Sequence, residues 1–176
     1  MDSSQISSII SSTINEMFYK IFSSIDDINQ NVDIITMFHV LEHIKEPIEL
    51  LKKLKSKLKD KNSQIIIEVP NSLDALISLY KSKAFSRFTW WSCHVFTFNK
   101  KNLISIANKA GYKVNYVKNI QRYGIFNHLY WLIKGKPGGH EKFKRFSIPF
   151  FEWLYWKFLS SINATDTILI SLSLED

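Results

Sequence analysis

The sequence predicts an α/β fold, a sheet covered by helices, from the order of its strand-like and helical segments. Short apolar runs at 33–38 and 64–69 have the length and composition of buried strands. Between them, over 47–59, leucines recur at helical spacing while lysines fill the opposite face. Strand, crossover helix and strand form a βαβ unit, whose two strands are parallel. Two further strands are predicted at 112–118 and 167–174.

Individual residues mark the ends of the predicted elements. Pro47 suits the first turn of a helix, where its missing N–H group costs nothing. Pro70 stops the second strand, since proline cannot donate to a sheet. Asn99 can cap a later helix, and Gly111 suits the left-handed residue that ends it. An apolar, aromatic helix is predicted at 150–162.

Composition narrows the class of protein. With 176 residues, the chain is long enough for one domain with a substantial core. Its single cysteine, Cys93, excludes an internal disulfide and a cysteine metal cluster, which is typical of a reducing cytoplasm. The apolar runs are too short to span a bilayer, and the N-terminus does not resemble a signal peptide. These features predict a cytoplasmic protein.

The net charge of +7 comes largely from lysines on and after the helix predicted at 47–59. A solvated helix face is the simplest interpretation, because a charge run alone rarely identifies a partner. The alternative is attraction to an anionic membrane or an acidic substrate. Lys142, Lys144 and Arg145 precede the aromatic helix at 150–162, and this combination suits a helix lying peripherally on a membrane surface. We expect no nucleic acid partner.

Several short motifs follow one another in a characteristic order. They are Asp33 at the first strand, His39-Val40-Leu41-Glu42-His43 after it, Glu68-Val69-Pro70-Asn71 at the end of the second strand, His94-Val95-Phe96-Thr97-Phe98, and Ala110-Gly111-Tyr112. In this order the motifs resemble the second half of a class I S-adenosylmethionine-dependent methyltransferase. The resemblance implies an incomplete Rossmann-like methyltransferase sheet, mostly parallel with an antiparallel last strand, and helices on its faces. It also implies S-adenosylmethionine as the cofactor.

One feature of that family is missing from the sequence, the Gly-rich loop after the first strand. The chain has no glycine before Gly111. We therefore expect residues 1–32 to form an N-terminal helix and a short strand, and residues 33–176 to form the C-terminal part of a methyltransferase-like domain. Such a chain is expected to be truncated or split. On its own it should bind the cofactor weakly or not at all, and be inactive.

The same resemblance assigns roles to individual residues. Phe38 and His39, at the tip of the first strand, would line the pocket for the methionine end of the cofactor. His39 could be a general base, since an unperturbed histidine has a pKa near neutrality, or a structural histidine. Acceptor-binding residues are expected in two loop-rich, aromatic segments, 81–98 and 121–162. Four candidates could instead satisfy local backbone groups: His94, Asn127, His128 and His140. The fifth, Arg122, could instead be a surface charge.

A competing interpretation arises because His-x-x-Glu-His, at 39–43, also fits the inverted zinc-peptidase pattern. That pattern needs both histidines on one helix and a further acidic ligand downstream. Pro47 places the helix start after His43, and no glutamate lies between Glu68 and Glu141. The sequence therefore predicts no metal site.

These observations together predict a methyltransferase-family protein that acts on a small-molecule or glycan acceptor. A sugar or lipid-linked glycan is expected from resemblance to methyltransferases that carry the Glu-Val-Pro-Asn strand end and a Gly-Lys-Pro-Gly-Gly-His loop, here residues 135–140. The alternative is a non-catalytic binding or interaction module. Such a module would self-associate or pair with a chain that supplies the missing half.

Overall fold

The computed structural model describes residues 20–91, 94–143, 145 and 148–175. The chain divides into two compact units, residues 1–31 and 32–176. In the described part of the first unit, Ile25–Asp27 forms a 3₁₀ turn, closed by reciprocal hydrogen bonds of the Ser24 and Asp27 side chains. The predicted N-terminal helix lies outside the described residues. Residues 20–22, part of the predicted short strand, have no assigned secondary structure.

The second unit is built on one four-stranded sheet. Its strands are β1 (Ile34–Phe38), β2 (Gln64–Pro70), β3 (Tyr112–Ile120) and β4 (Thr167–Leu174), in the spatial order β1-β2-β4-β3. β1 and β2 are parallel, and β4 runs antiparallel to both of its neighbours. β1, β2 and β3 therefore point in one direction, with β4 inserted between β2 and β3. The predicted fold class is confirmed, including its antiparallel last strand.

Seven α-helices are present in the part of the chain that the structure describes. They are α1 (Pro47–Leu54), α2 (Ala75–Ser78), α3 (Lys83–Thr89), α4 (Lys100–Lys109), α5 (Ile125–Lys134), α6 (Gly139–Lys142) and α7 (Pro149–Ser161), with 3₁₀ turns at Leu41–His43 and Lys55–Lys57. Asn99 caps α4 and Gly111, with a φ of 72°, follows its end, as the sequence predicts. Among the described residues, no helix is long and apolar enough to cross a membrane.

The first helix is shorter than predicted. α1 ends at Leu54 rather than near residue 59. The chain leaves the helix because Leu58 forms a parallel bridge with Val32, and the Val32 N–H donates to the Lys57 carbonyl at 2.8 Å. This extended pairing is incompatible with helical geometry.

Two segments that were expected to be loop-rich contain helices. Within 81–98, the Ser82 hydroxyl caps α3 by accepting a hydrogen bond from the Phe85 N–H. Within 121–162, α5 begins after Gly124 and ends at Gly135, which has a left-handed φ of 64°. Both helices therefore have ordinary start and stop residues, and both border the site described below.

The core lies around the two central strands. Alternate side chains of β2 and β4 are fully buried: Ile65, Ile67, Val69, Ile168, Ile170 and Leu172. Leu51 of α1 is buried too, and its carbonyl accepts a hydrogen bond from the buried Tyr112 hydroxyl at 2.8 Å. Since burial of apolar area is the main stabilising term in folding, this layer holds the strands in place. The carboxyl ends of β1, β2 and β3 therefore share one edge of the sheet.

Candidate functional site

A cavity of about 590 Å³ lies where the parallel strands end. Its lining includes His39 after β1, Pro70 and Asn71 at the end of β2, and Arg122 after β3. Asp166, just before β4, lines the same cavity. Ligands of open α/β sheets bind outside the carboxyl ends of the strands, and the volume suits a small organic molecule. This cavity is therefore the candidate site.

Aromatic rings form a second part of the cavity wall. Phe85 and Phe88 of α3 contact Trp131 of α5, with ring centroids 5.1 and 5.2 Å apart. Trp91 and His94, from the segment after α3, also line the cavity, with ring centroids 6.1 Å apart. Aromatic contacts at such distances are favourable beyond the area that they bury. The cavity thus combines an aromatic wall with a polar edge.

His39 has an unusual backbone conformation for a residue other than glycine, with a φ of 54°. This left-handed conformation turns the chain from β1 into the 3₁₀ turn at Leu41–His43, while the His39 N–H donates to the Glu68 carbonyl at 2.9 Å. The ring stands between two carboxylates, with Nδ1 3.4 Å from Glu42 Oε1 and Nε2 3.3 Å from Glu68 Oε1. The Glu42 carboxylate raises the pKa of His39 above its ordinary value, although partial burial and the Arg122 guanidinium oppose the shift.

Glu68 is a buried carboxylate near the end of β2, and it forms an ion pair with the guanidinium of Arg122. The backbone N–H groups of Arg122 and Tyr123 both donate to Asp166 Oδ2, at 2.7 and 3.0 Å. These contacts join the ends of β2, β3 and β4. A buried carboxylate requires such a partner, because an unpaired buried charge is costly. Arg122 is therefore held at the carboxyl edge of the sheet.

Two further carboxyl groups line the cavity, those of Asp74 and Asp166. Asp74 is 3% exposed and caps α2 by accepting a hydrogen bond from the Leu76 N–H at 2.6 Å. Burial raises the pKa of Asp74 to about 7, and the Leu76 N–H opposes only part of this shift. Burial also raises the pKa of Asp166, against the hydrogen bonds from Arg122 and Tyr123. Near neutral pH the cavity can therefore present a protonated carboxyl group, which donates as well as accepts hydrogen bonds.

Asn127 of α5 and His140 of α6 extend the polar part of the wall. Asn127 is buried, and its Oδ1 atom lies 3.4 Å from Nδ1 of His140. α6 approaches α5 this closely because residue 139 is glycine. A Cβ atom at Gly139 would lie 2.5 Å from the Tyr130 Cβ and 2.8 Å from the Phe126 carbonyl oxygen. Gly139 therefore positions His140 against Asn127.

A second cavity, of about 290 Å³, adjoins the first. Four residues line both cavities: Arg122, Tyr123, Asn127 and His140. α7 contributes Glu152 and Trp156 to the second cavity. Glu152 also accepts a hydrogen bond from the Ile125 N–H at 3.0 Å, which links α7 to the first turn of α5. The aromatic helix α7 therefore borders the candidate site.

The structure brings five of the seven predicted site residues to the first cavity: His39, His94, Arg122, Asn127 and His140. The other two, Phe38 and His128, do not line it. Phe38 is 52% exposed at the end of β1. His128 is buried, with Nδ1 2.6 Å from the Tyr155 hydroxyl, and burial lowers the pKa of His128 to about 4. At neutral pH His128 is therefore an uncharged histidine of the protein interior.

The site residues that the sequence prediction omits include Glu68, Asp74, Tyr123 and Asp166. Glu68 carries a signal in the sequence, since it is a charged residue inside an otherwise apolar strand. Asp74 and Asp166 lie in short polar turns, where the local sequence does not distinguish a buried carboxyl from an exposed one. Their burial depends on segments that are distant in the chain.

The residues of the His-x-x-Glu-His pattern do not share one helix. His39 follows a strand, and His43 ends a three-residue 3₁₀ turn before α1 begins at Pro47. This is the arrangement that Pro47 predicts. The zinc-peptidase geometry, with two histidines one helical turn apart, is therefore not formed by this pair.

The family of the chain follows from its sequence. A family model described as a methyltransferase domain matches residues 3–117. The chain belongs to this family. The match includes β1, β2 and most of β3, so it contains the carboxyl ends of β1 and β2, which border the cavity. Among curated proteins, none matches the sequence significantly.

Solved structures of methyltransferases and related proteins have the same fold. A protein of Bacillus halodurans C-125, described as an inferred methyltransferase, has a TM-score of 0.54 at 11% identity, over 96% of this chain and 78% of that chain. A chain from the complex between a Haloferax volcanii methyltransferase activator and a methyltransferase has a TM-score of 0.54 at 12% identity. The alignment covers 94% of this chain and 67% of that chain. The YcgJ protein of Bacillus subtilis has a TM-score of 0.51 at 13% identity, and the alignment covers 96% of this chain and 78% of that chain. At these identities the similarity shows the fold alone.

Two described residues stand where the family resemblance implies the methionine end of S-adenosylmethionine. His39 lines the cavity, and the preceding Phe38 presents an exposed ring at the end of β1. These two residues would hold the methionine end. The close backbone approach that a Gly-rich turn allows is not available in residues 20–110, which contain no glycine. The remaining contacts to the cofactor would come from outside the described residues.

Proposed function

We propose that the chain acts in methyl transfer from S-adenosylmethionine to a small acceptor that binds in the 590 Å³ cavity. The observation that carries this proposal is the position of the cavity at the carboxyl edge of a methyltransferase-family sheet, with His39 on its wall. The cofactor supplies a methyl group on a sulfonium, which is transferred by in-line displacement. The main task of the protein is then to align the acceptor.

His39 is the proposed general base for an acceptor hydroxyl. It lines the cavity next to the strand end at which the methionine end of the donor would lie. Its Nε2 atom is 3.3 Å from Glu68, and Glu68 already has Arg122 as an ion-pair partner. The Nε2 atom is buried and has no hydrogen-bond partner among the described residues, so a small turn of the ring would bring it to a hydroxyl in the cavity. Within hydrogen-bond reach, such a base contributes about 10²- to 10⁴-fold to the rate.

A sugar, free or lipid-linked, is the proposed acceptor. The cavity offers hydrogen-bonding groups from Asp74, Asn127 and Asp166, and flat aromatic surfaces from α3 and α5. A sugar ring presents both hydroxyl groups and apolar C–H faces, so it can use both kinds of surface. Pockets of this kind orient a ligand with a few polar groups while apolar side chains cover the rest.

The lipid part of such an acceptor would lie along α7 at a membrane surface. Phe150 and Trp153 are 62% and 51% exposed on this helix, whose Trp156 lines the second cavity. The Lys157 ammonium lies 5.5 Å from the Trp153 ring. Exposed aromatic and basic side chains on one helix are the combination that binds a membrane interface.

Transfer of labelled methyl groups tests this function. Because the sequence predicts weak donor binding, and hence inactivity at ordinary donor concentrations, the purified chain is incubated with millimolar methyl-labelled S-adenosylmethionine. The acceptors are free hexoses, nucleotide sugars or polyprenyl-phosphate-linked sugars. We expect label in the carbohydrate, and a loss of about 10²-fold or more for His39→Ala. Lys113→Ala, on the exposed side of β3, is the control and should retain transfer. Absence of label in every carbohydrate, or transfer unaffected by His39→Ala, would contradict the proposal.

A second candidate function is a non-catalytic module that pairs with another chain. It is favoured by β1, which pairs only with β2 among the described strands and has an Ile34 side chain that is 60% exposed. An unpaired strand edge is a template for association, and one structurally similar chain comes from a complex with a methyltransferase activator. Light scattering at rising concentration tests this function. Association that Ile34→Lys abolishes would support it, whereas a monomer throughout would contradict self-association.

A further inference from the structure

Three potential metal ligands meet beside the cavity, and they come from two separate segments. Glu42 and His43 lie on the 3₁₀ turn after β1, and His94 lies on the segment after α3. One ligand atom from each residue lies within 4.8 Å of the other two. The Phe96 N–H donates to the Glu42 carbonyl at 3.1 Å, which fixes the two segments against each other. The group is therefore held together by the fold.

The Glu42 carboxylate is buried without the hydrogen bonds that such a group normally has. The residue is 1% exposed, and neither carboxylate oxygen has a hydrogen-bond partner among the described residues. Its nearest cationic partners are His39 Nδ1 at 3.4 Å and His43 Nε2 at 3.9 Å. Burial of a carboxylate is costly unless the group is paired or coordinates a metal. The carboxylate oxygens of Glu42 can therefore coordinate a cation.

His94 is held in the form that a metal requires. Its Nδ1 atom is 2.6 Å from the Thr89 carbonyl oxygen. A carbonyl only accepts hydrogen bonds, so Nδ1 carries the hydrogen and Nε2 keeps its lone pair. Metal-binding histidines typically donate their other ring N–H to a carbonyl or carboxylate in this way. The His43 ring stands next to it, with centroids 4.9 Å apart and planes inclined by 56°.

We propose that Glu42, His43 and His94 form a binding site for a divalent transition metal, with Zn²⁺ as the preferred ion. Two imidazoles and one carboxylate are a common ligand set for zinc, and three protein ligands leave one position for water or another oxygen ligand. Bonds of about 2.0–2.2 Å require the ligand atoms to move together slightly. His43 is the most exposed of the three residues, so there is room around its ring for this adjustment.

This site differs from the zinc-peptidase pattern in the residues that bind the metal and in the role of the glutamate. His94 replaces His39 as the second histidine, and Glu42 is a ligand rather than a base. His94 also lines the 590 Å³ cavity, so the open coordination position would lie near the acceptor site. Sequence spacing does not reveal His94 as a ligand. It lies 51 residues after His43 (94 − 43), which is not a spacing typical of metal-binding motifs.

Metal binding to the chelator-treated protein tests the site directly, without any assay of activity. Zn²⁺ alone is titrated against a competing fluorescent chelator, and Co²⁺ is added separately to record its visible absorption. We expect about one Zn²⁺ per chain and a Co²⁺ spectrum with nitrogen ligands. His94→Ala and Glu42→Gln should each weaken Zn²⁺ binding by at least about 10- to 100-fold, the loss that even an outer-shell change typically causes.

His140→Ala is the matched control, because His140 lines the same cavity outside the proposed ligand set. It should bind Zn²⁺ as the unchanged protein does. Circular dichroism establishes that each variant is folded, and His43→Asn replaces any variant that is not. Failure of the unchanged protein to bind Zn²⁺, or Zn²⁺ binding that the folded ligand variants retain, would overturn the proposal. The result does not depend on whether the chain transfers methyl groups.

Discussion

The guanidinium of Arg122, which follows β3, forms an ion pair with the buried carboxylate of Glu68 on β2. The two strands are not neighbours, since β4 lies between them in the sheet. The pair therefore bridges three strands at the edge that carries the cavity. Its loss should affect both the stability of the sheet and the shape of the site.

Arg122→Met is expected to destabilise the protein, because it leaves Glu68 buried without its partner. Removal of one member of a buried pair costs about 3–5 kcal/mol. Because the Arg122 side chain is 44% exposed and partly screened by solvent, we expect about 1–3 kcal/mol here. Denaturant unfolding measures the loss. Arg87→Met, an exposed arginine on the wall of the same cavity, is the control.

A double-mutant cycle separates the ion pair from the arginine stem. Glu68→Gln removes the charge but keeps the shape, so Arg122→Met should cost less in that background than in the unchanged protein. The interaction free energy that such a cycle measures for two residues in contact is about 0.5–3 kcal/mol. Strictly additive losses would mean that the pair does not contribute.

Asp74→Asn should weaken the pH dependence of stability. The folded-state pKa of about 7 lies above the ordinary value of 3.8. The folded protein therefore keeps a proton that the unfolded chain releases, and this contribution is full below about pH 4 and lost as pH rises through about 7. Between about pH 5.5 and about pH 7.5 the loss should be roughly 1–2 kcal/mol, at about 1.4 kcal/mol for each pKa unit.

Asparagine preserves the cap on α2, since Asn and Asp are similar N-cap residues. Unfolding of both proteins across this pH range isolates the contribution of Asp74 from those of His39 and Asp166, whose raised pKa values act in the same direction. Asp33→Asn is the control, because its carboxyl is 75% exposed. Equal pH dependence in the Asp74 variant and the unchanged protein would show that Asp74 is not perturbed by burial.

Gly139→Ala should separate α6 from α5. The added Cβ atom would lie 2.5 Å from the Tyr130 Cβ, and overpacking of this kind costs about 1–3 kcal/mol. Gly135→Asn is a matched control, because asparagine tolerates the left-handed conformation of Gly135 and a Cβ atom there meets Ala84 at 3.3 Å. Thermal unfolding should show a clear loss for the first variant and little for the second. Equal effects would mean that the close approach at residue 139 has no special role.

α7 should bind anionic vesicles through its exposed aromatic side chains. With vesicles of phosphatidylcholine and phosphatidylglycerol, we expect a blue shift of tryptophan fluorescence that Phe150→Ser and Trp153→Ser together remove. The attraction should weaken as salt is added, because surface charges are screened. Trp90→Ser, equally exposed on the segment after α3, is the control. Binding that this control removes instead would exclude α7 as the contact.

Most of the sheet was predictable from the sequence because β1, β2 and β4 are mostly apolar runs. Gln64–Pro70 ends at a proline, and α1 begins at one. The helix α5 was harder to predict, since Asn127 and His128 look like loop residues. Both are buried in the structure, on the same face of the helix as Tyr130 and Trp131. A separation of three or four residues is typical of one helical face. Gly124 and Gly135 flank this segment, and glycines are also typical of loops, so the helical spacing was not recognised.

The site was only partly predictable for a different reason. His39 and Arg122 follow strands whose ends share an edge, so their meeting follows from the topology. The pairing of Glu68 with Arg122 spans 54 residues of sequence, and the burial of Asp74 depends on tertiary packing. Local patterns contain no information about such contacts.

The isolated chain should bind the donor product only weakly. Each unmade hydrogen bond to a charged group forfeits roughly 1.5–3 kcal/mol, so the loss of two or three would weaken binding by about three orders of magnitude or more. Calorimetric titration of S-adenosylhomocysteine at micromolar concentration should therefore show no binding. Micromolar affinity would mean that residues outside the described part replace the Gly-rich loop.

The most direct test of the account is to locate S-adenosylhomocysteine on the chain by NMR at millimolar concentration. We expect shifts of the backbone amide resonances of residues 38–42, a segment that includes Phe38 and His39 at the end of β1. Adenosine, which lacks the methionine end, should shift them less, and His39→Ala should reduce the response to S-adenosylhomocysteine. Shifts confined to other parts of the sheet, or none at millimolar ligand, would contradict a methyl-donor site at the carboxyl end of β1.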